Sequence, residues 1–117
     1  HYRACLAEIS VSRMLNLCWT GCGKGAQGLC DVGGAYEVRS VASLNRGLLA
    51  RTKDKDDSPC ILVYVGDDRM CRALGWDFFS TVKEKGFVLD INSDNPCWVL
   101  KPDKLKTMDT LILNVTL

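Results

Sequence analysis

The sequence predicts an α+β fold, in which an antiparallel or mixed β-sheet of about four to six strands packs against one strong and one weaker helix. Three observations predict it. Short runs with β-strand character alternate with turn residues, one segment carries apolar residues at helical spacing, and seven cysteines suggest disulfides that staple the fold. With 117 residues, 47% of them hydrophobic, residues 1–117 are expected to form one domain around one core.

The first half of the chain gives the weaker signals. Residues 7–17 are compatible with an edge strand or a short helix, and we favour the strand. Residues 21–34 are rich in glycine and predict a loop that its cysteines hold in place. Residues 35–42 have β character, and Ser43 could cap a short helical segment that carries Leu44, Leu48 and Leu49.

The centre of the chain gives the strongest signals. The uninterrupted apolar run 60–65 predicts a central strand covered on both faces. After it, Asp67 or Asp68 can cap a helix whose apolar positions recur every three or four residues: Cys71, Leu74, Gly75, Phe78, Phe79 and Val82. Lys83 and Lys85 suit the end of that helix, and Gly86 can close it in the left-handed conformation.

The last third predicts more strands. Residues 87–91 and 97–100 form a hairpin around the turn-forming stretch 92–96. Residues 110–117 alternate in hydrophobicity, which predicts a half-buried strand.

All seven cysteines are candidates for disulfides. Because their number is odd, at least one is free or is paired outside the chain, and the sequence does not choose among the pairings. The candidates are Cys5, Cys18, Cys22, Cys30, Cys60, Cys71 and Cys97.

Charge and hydropathy limit the classes of partner. The net charge is +1, and the charged stretch 51–57 mixes both signs like a solvated loop, so we expect no nucleic-acid partner. No apolar run approaches the length of a membrane span, so we expect none in this chain. We also expect the protein to be a monomer. The start at His1 rather than Met suggests either that a signal peptide has been removed or that the chain has been trimmed, and we favour secretion.

Few residues offer catalytic chemistry, and we expect no enzyme, no cofactor and no metal. His1 is the only imidazole, so a nucleophile elsewhere would lack its usual base. Cys18, Cys22 and Cys30 lack the second close pair of a zinc site, and residues 23–28 spell a dinucleotide fingerprint without the helix that it needs. The adjacent carboxylates Asp56–Asp57 and Asp67–Asp68 are better explained by capping and solvation.

Four other residues could carry a modification or a contact surface. Asn114 begins a glycosylation sequon inside a predicted strand. Trp19, Trp76 and Trp98 could anchor an interface, although indoles next to cysteines more often pack at the edge of a core.

The cysteines named above, together with one strong helix over a sheet and no catalytic set, resemble the secreted effectors of plant-pathogenic fungi. The resemblance is to the LARS group of avirulence proteins, covers residues 5–117 and includes no short diagnostic motif. It implies an α/β sandwich held by disulfides and a virulence role in the host apoplast or host cell. There the protein would contact a host protein to suppress or evade immune recognition.

Two other functions remain open from the residues. One is a secreted protein like a killer toxin or an inhibitor, which would act on membranes or proteases. The other is a secreted hydrolase that uses carboxylates.

Overall fold

A computed structural model describes residues 2–15, 36–89 and 96–111. Two sheets of three strands each and the helices that cover them make up this part of the chain. The predicted α+β class is confirmed, with the strands divided between two sheets. The predicted disulfide staple stays a prediction for the molecule as a whole.

The first sheet, called sheet A, has the strand order β1 (Glu37–Val41), β3 (Pro59–Val65), β4 (Cys71–Phe78). Strand β3 pairs in parallel with β1 and antiparallel with β4. The prediction of a central strand covered on both faces is confirmed, because Cys60, Ile61, Leu62 and Val63 are all fully buried.

The second sheet, called sheet B, has the order β2 (Leu48–Arg51), β6 (Cys97–Leu100), β5 (Phe87–Leu89), and both of its pairings are antiparallel. The predicted hairpin of β5 and β6 is confirmed. The predicted helix after Ser43 is wrong: residues 42–45 turn, and Leu48 and Leu49 begin β2. Gly47 fits there because a Cβ would lie 2.4 Å from the carbonyl oxygen of Leu100.

The N-terminal segment is a helix, α1 (Tyr2–Leu15), and the predicted strand at residues 7–17 is wrong for its described part. The face that α1 buries consists of Ala7, Glu8, Val11 and Ser12, which are spaced as neighbours on a helix surface. Because two of these four residues are polar, the sequence pattern hid the helical stripe.

The predicted helix after Asp67 is wrong at its beginning and right at its end. Residues 71–78 form β4, and the helix α2 spans Phe79–Lys85. Its first amides find partners on the preceding loop: the N–H of Phe79 donates to Ser58 O and that of Ser80 to Asp56 O. Gly86 is extended rather than left-handed, and a Cβ there would lie 2.5 Å from Val82 O.

The predicted strand at 110–117 is wrong for its described part, residues 110–111, which are helical. A 3₁₀ helix spans Pro102–Lys104, and residues 108–111 form a further helical turn. The rest of the predicted strand at 110–117 lies outside the described residues, as does the predicted loop at 21–34. No helix in the described ranges is long and apolar enough to cross a membrane.

Two apolar clusters lie on opposite faces of sheet A. One, between sheet A and α1, includes Val11, Ile61, Val63 and Trp76. The other, between sheet A and the inner face of sheet B with α2, includes Leu48, Leu62, Phe79 and Leu100. Sheet A is therefore covered on both sides, whereas the far face of sheet B lies outside both clusters.

Candidate functional site

The far face of sheet B carries apolar side chains. Alternation along the strands places Leu48, Ala50 and Leu100 in the core, so their neighbours in the chain point outward. In the register of the sheet, Leu49 pairs with Val99 and Val99 with Phe87, which forms one apolar row across all three strands. We call this surface the outer face.

The outer face borders an open groove with a volume of 440 Å³. The apolar row and Leu89 line its floor, and the turn after β1 forms one wall. Its lining residues are Ser40, Val41, Asn45, Arg46, Gly47, Leu49, Phe87, Leu89, Val99 and Lys101. A groove of this size accommodates a few side chains of a bound segment.

The described residues at the groove carry charge of one sign. Arg46 and Lys101 are exposed cations of the lining, and no Asp or Glu is among its described residues. Neither cation forms a salt bridge with another residue of the described ranges. The groove therefore combines an apolar floor with a positive rim.

All three residues of strand β5 are apolar and exposed. Phe87 is 48% exposed, Val88 42% and Leu89 39%. It is an edge strand, and no described strand pairs with its outer side. Strand β4 differs, because Trp76 and Lys106 exchange two backbone hydrogen bonds of 3.0 Å that cover its edge.

The structure separates the predicted cysteine candidates. Cys5 is disulfide-bonded. Cys71 and Cys97 are free thiols, so their candidacy for disulfides is corrected. In the sheet register, Cys71 lies opposite Val65, and Cys97 lies between Arg51 and Leu89, so neither faces a cysteine across the ladder. Cys60 is fully buried in the centre of sheet A.

The indoles of the described ranges have structural roles. Trp76 is buried, and its Nε1–H donates to Thr107 O and to Thr110 Oγ1. Trp98 is half-buried and packs against the cluster under sheet B. Trp19, His1, Asn114, the glycine motif at 23–28, Cys18, Cys22 and Cys30 lie outside the described residues.

The adjacent carboxylates do not converge on a cleft. Asp56 Oδ1 accepts from Lys83 Nζ at 2.7 Å, and Asp67 Oδ1 accepts from Arg3 at 3.0 Å. Asp68 Oδ1 accepts from the N–H of Met70 at 3.1 Å in the turn between β3 and β4. Asp56, Asp67 and Asp68 thus each serve a local or tertiary contact. Among the described residues, no group of three His, Cys, Asp or Glu side chains could hold a metal ion.

The sequence did not reveal the outer face. A strand beginning at Phe87 is predicted from the sequence, but the same apolar side chains are also typical of core residues. The signal that could have helped is the absence of alternation in Phe87-Val88-Leu89, which in so short a strand is compatible with an edge that contacts another molecule.

Comparisons with protein-family models, with curated proteins and with solved structures find no match for this chain.

Proposed function

We propose that this chain is a protein-binding module that holds its partner on the outer face and along the edge of β5. The observation that carries the proposal is the apolar row Leu49, Val99 and Phe87, which crosses sheet B on the side away from the core. Contiguous apolar surface that a fold leaves open is characteristic of an interaction site.

The partner should supply an extended segment. The outer side of an edge strand carries backbone N–H and C=O groups that an added strand can pair with, and alternate side chains of that strand would then enter the groove. Phe87 and Leu89 point to the same side as the groove and would contact those side chains.

The partner should also be acidic. Arg46 and Lys101 would pair with carboxylates that flank the apolar side chains of the segment. A second copy of this chain is a poorer occupant, because two-fold packing of the outer faces would bring the same positive rims together.

The effector role implied by the sequence resemblance belongs to the same class of function. A secreted effector that suppresses or evades immune recognition needs a surface for a host protein and no catalytic group. We extend the proposal to that setting, with the outer face as the surface that contacts the host protein.

The experiment is a selection of displayed random peptides on the wild-type protein, followed by affinity measurements on the enriched peptides. We expect enriched sequences in which apolar residues alternate and Asp or Glu flank them. Phe87→Ala should weaken their binding by about 30-fold, since truncation of an aromatic anchor costs about 2 kcal/mol. Binding should also weaken as salt is raised, because the rim charges are exposed.

The matched control is Met70→Ala, which removes an exposed apolar side chain, 68% exposed, that does not line the groove. It should leave peptide binding unchanged. Peptides that bind the Phe87→Ala and wild-type proteins equally well would contradict the proposal, and so would a selection that enriches no peptide. Circular dichroism of both variants verifies that the fold is retained.

A further inference from the structure

A second cleft, which shares no lining residue with the groove at the outer face, is lined by three sulfur-containing residues. Its volume is 540 Å³, and it lies between α1 and the turn that joins β3 to β4. Its lining residues include Met14, Met70 and Cys71, which each carry a sulfur atom, together with Leu6, Ile9, Ser10, Arg13 and Arg69. We call it the sulfur cleft.

Both methionines are unusually exposed for apolar residues: Met14 by 43% and Met70 by 68%. They stand on different walls of the cleft, one on a helix and one on a turn. Cys71 carries a free thiol at the first residue of β4. Three sulfur-containing residues, from α1, the turn and β4, thus line one solvent-accessible cleft.

The turn that carries Met70 is held firmly. The N–H of Gly66 donates to Met70 O at 2.9 Å, and the N–H of Met70 donates to Asp68 Oδ1. Arg3 of α1 ties the turn to the helix, because it donates to Val65 O at 3.2 Å and to Asp67 Oδ1 at 3.0 Å. These two hydrogen bonds join the two walls of the cleft.

We propose that the sulfur cleft binds one soft monovalent metal ion of the Cu(I) class. Thiolate and thioether ligands select Cu(I), whereas Mg²⁺ and Ca²⁺ need oxygen donors, and no carboxylate is among the described residues of the lining. On binding, the Cys71 thiol releases its proton to solvent and its sulfur forms the bond to the ion, while both thioethers donate lone pairs without losing a proton. The oxidation state of the metal does not change.

The charge balance is favourable. A thiolate with a monovalent ion is neutral, so binding places no net charge beside Arg13 and Arg69. A divalent ion with the same ligands would leave one positive charge next to two guanidinium groups, which is unfavourable. The site should therefore prefer Cu(I) over Zn²⁺.

The experiment uses Ag(I), a redox-inert ion of the same softness, on the full chain with its methionine methyl groups labelled with ¹³C. The chain has three methionines, so Met108 serves as an internal control. At one equivalent of Ag(I), we expect the Met14 and Met70 methyl signals to shift and the Met108 signal to stay. Alkylation mapped by mass spectrometry should show protection of Cys71 and a lesser protection of Cys97.

Variants complete the test. Cys71→Ser should abolish the shifts of both methionine signals, and Met70→Leu, which keeps the apolar bulk, should weaken Ag(I) binding at Cys71 by about 10-fold. Cys97→Ser, which removes a thiol outside the cleft, should change neither readout. Protection of Cys71 without methionine shifts would overturn the proposal in favour of simple thiolate binding. Equal shifts of all three methionines, or no shift at all, would also overturn it.

Discussion

The indole Nε1 of Trp76 lies 2.9 Å from Thr110 Oγ1 and donates a hydrogen bond to it. The same N–H also donates to Thr107 O at 3.1 Å, and Thr110 Oγ1–H donates back to Thr107 O at 2.6 Å. Together with the backbone pair between Trp76 and Lys106, this network fastens the segment after the 3₁₀ helix to the edge of β4.

Trp76→Phe should destabilise the protein by about 2 kcal/mol, because it removes the buried donor and part of a packed ring. Trp76 is only 3% exposed, so water cannot replace the lost contacts. Urea denaturation measures the change. Thr110→Val, which removes one acceptor and leaves Thr107 O, should cost about 1 kcal/mol or less. Equal losses in the two variants would contradict this account.

Gly75 allows β4 to pass close to the segment at residues 105–106. Its φ of +153° is one that side chains rarely adopt, and a Cβ would lie 2.8 Å from both Leu105 Cβ and Lys106 O. Gly75→Ala should therefore destabilise the protein by about 2 kcal/mol or more, as thermal unfolding will show.

Gly66→Ala is the matched control for this prediction. The nearest atom to a Cβ at Gly66 is Asp68 Oδ1, the end of a side chain that can rotate away with the loss of one hydrogen bond, the one from the N–H of Met70. Gly66→Ala should lower the free energy of unfolding by about 1 kcal/mol or less. If Gly75→Ala destabilises the protein less than Gly66→Ala does, the close approach of Leu105 does not exclude a side chain at position 75.

Strand β4 explains why the sequence predicted a helix where a strand lies. The register shifts at Leu62/Val63, so that Leu62 pairs with Gly75 and Val63 with Ala73. As a result Cys71, Ala73, Trp76 and Phe78 pack on one cluster with spacings of two, three and two residues. The bulge thus places residues seven positions apart on one face, as a helix does, and periodicity could not distinguish the two.

Other features were predictable where burial alone decides them. The run at 60–65 has to be covered on both faces, so its central position followed from composition. Neither proposed site could be predicted from composition in this way. The outer face depends on which strand lies at the edge of sheet B. The sulfur cleft depends on residues 14 and 70 lining the same cleft. Both are tertiary relationships that local sequence patterns do not encode.

Lys83 should anchor the charged loop at 52–56 to α2. Its Nζ donates to Asp54 O and Asp56 Oδ1, each at 2.7 Å, and its side chain is only 18% exposed. The loop was interpreted as solvated, and most of its side chains are exposed, but its backbone is held by this lysine.

Lys83→Met should speed hydrogen exchange at the amides of Ser58 and Ser80 and cost about 1 kcal/mol, chiefly from the contact with the Asp54 carbonyl. The ion pair with Asp56 contributes less, because that carboxylate is 68% exposed. Lys85→Met, in the same helix at an exposed position, is the control and should leave exchange unchanged. Faster exchange in both variants would point to a weakened helix instead.

Tyr36 should make stability depend on pH in the alkaline range. Burial against the cluster under α1 raises the pKa of its phenol above the ordinary value, because the ionised form is poorly solvated there. In the unfolded chain the phenol ionises near pH 10, so the folded state retains its proton to higher pH than the unfolded state. The stabilisation from the neutral phenol is therefore complete below about pH 10 and is lost as pH rises through the folded-state pKa.

The difference in unfolding free energy between wild type and Tyr36→Phe isolates this effect, since other groups that titrate in the alkaline range are common to both proteins. The difference should be constant from pH 7 to about pH 9 and should then change in favour of Tyr36→Phe as the pH is raised further. The ¹³Cζ signal of Tyr36 in the folded protein should titrate at higher pH than in the chain unfolded by urea. If the two titrations coincide, burial does not control this phenol.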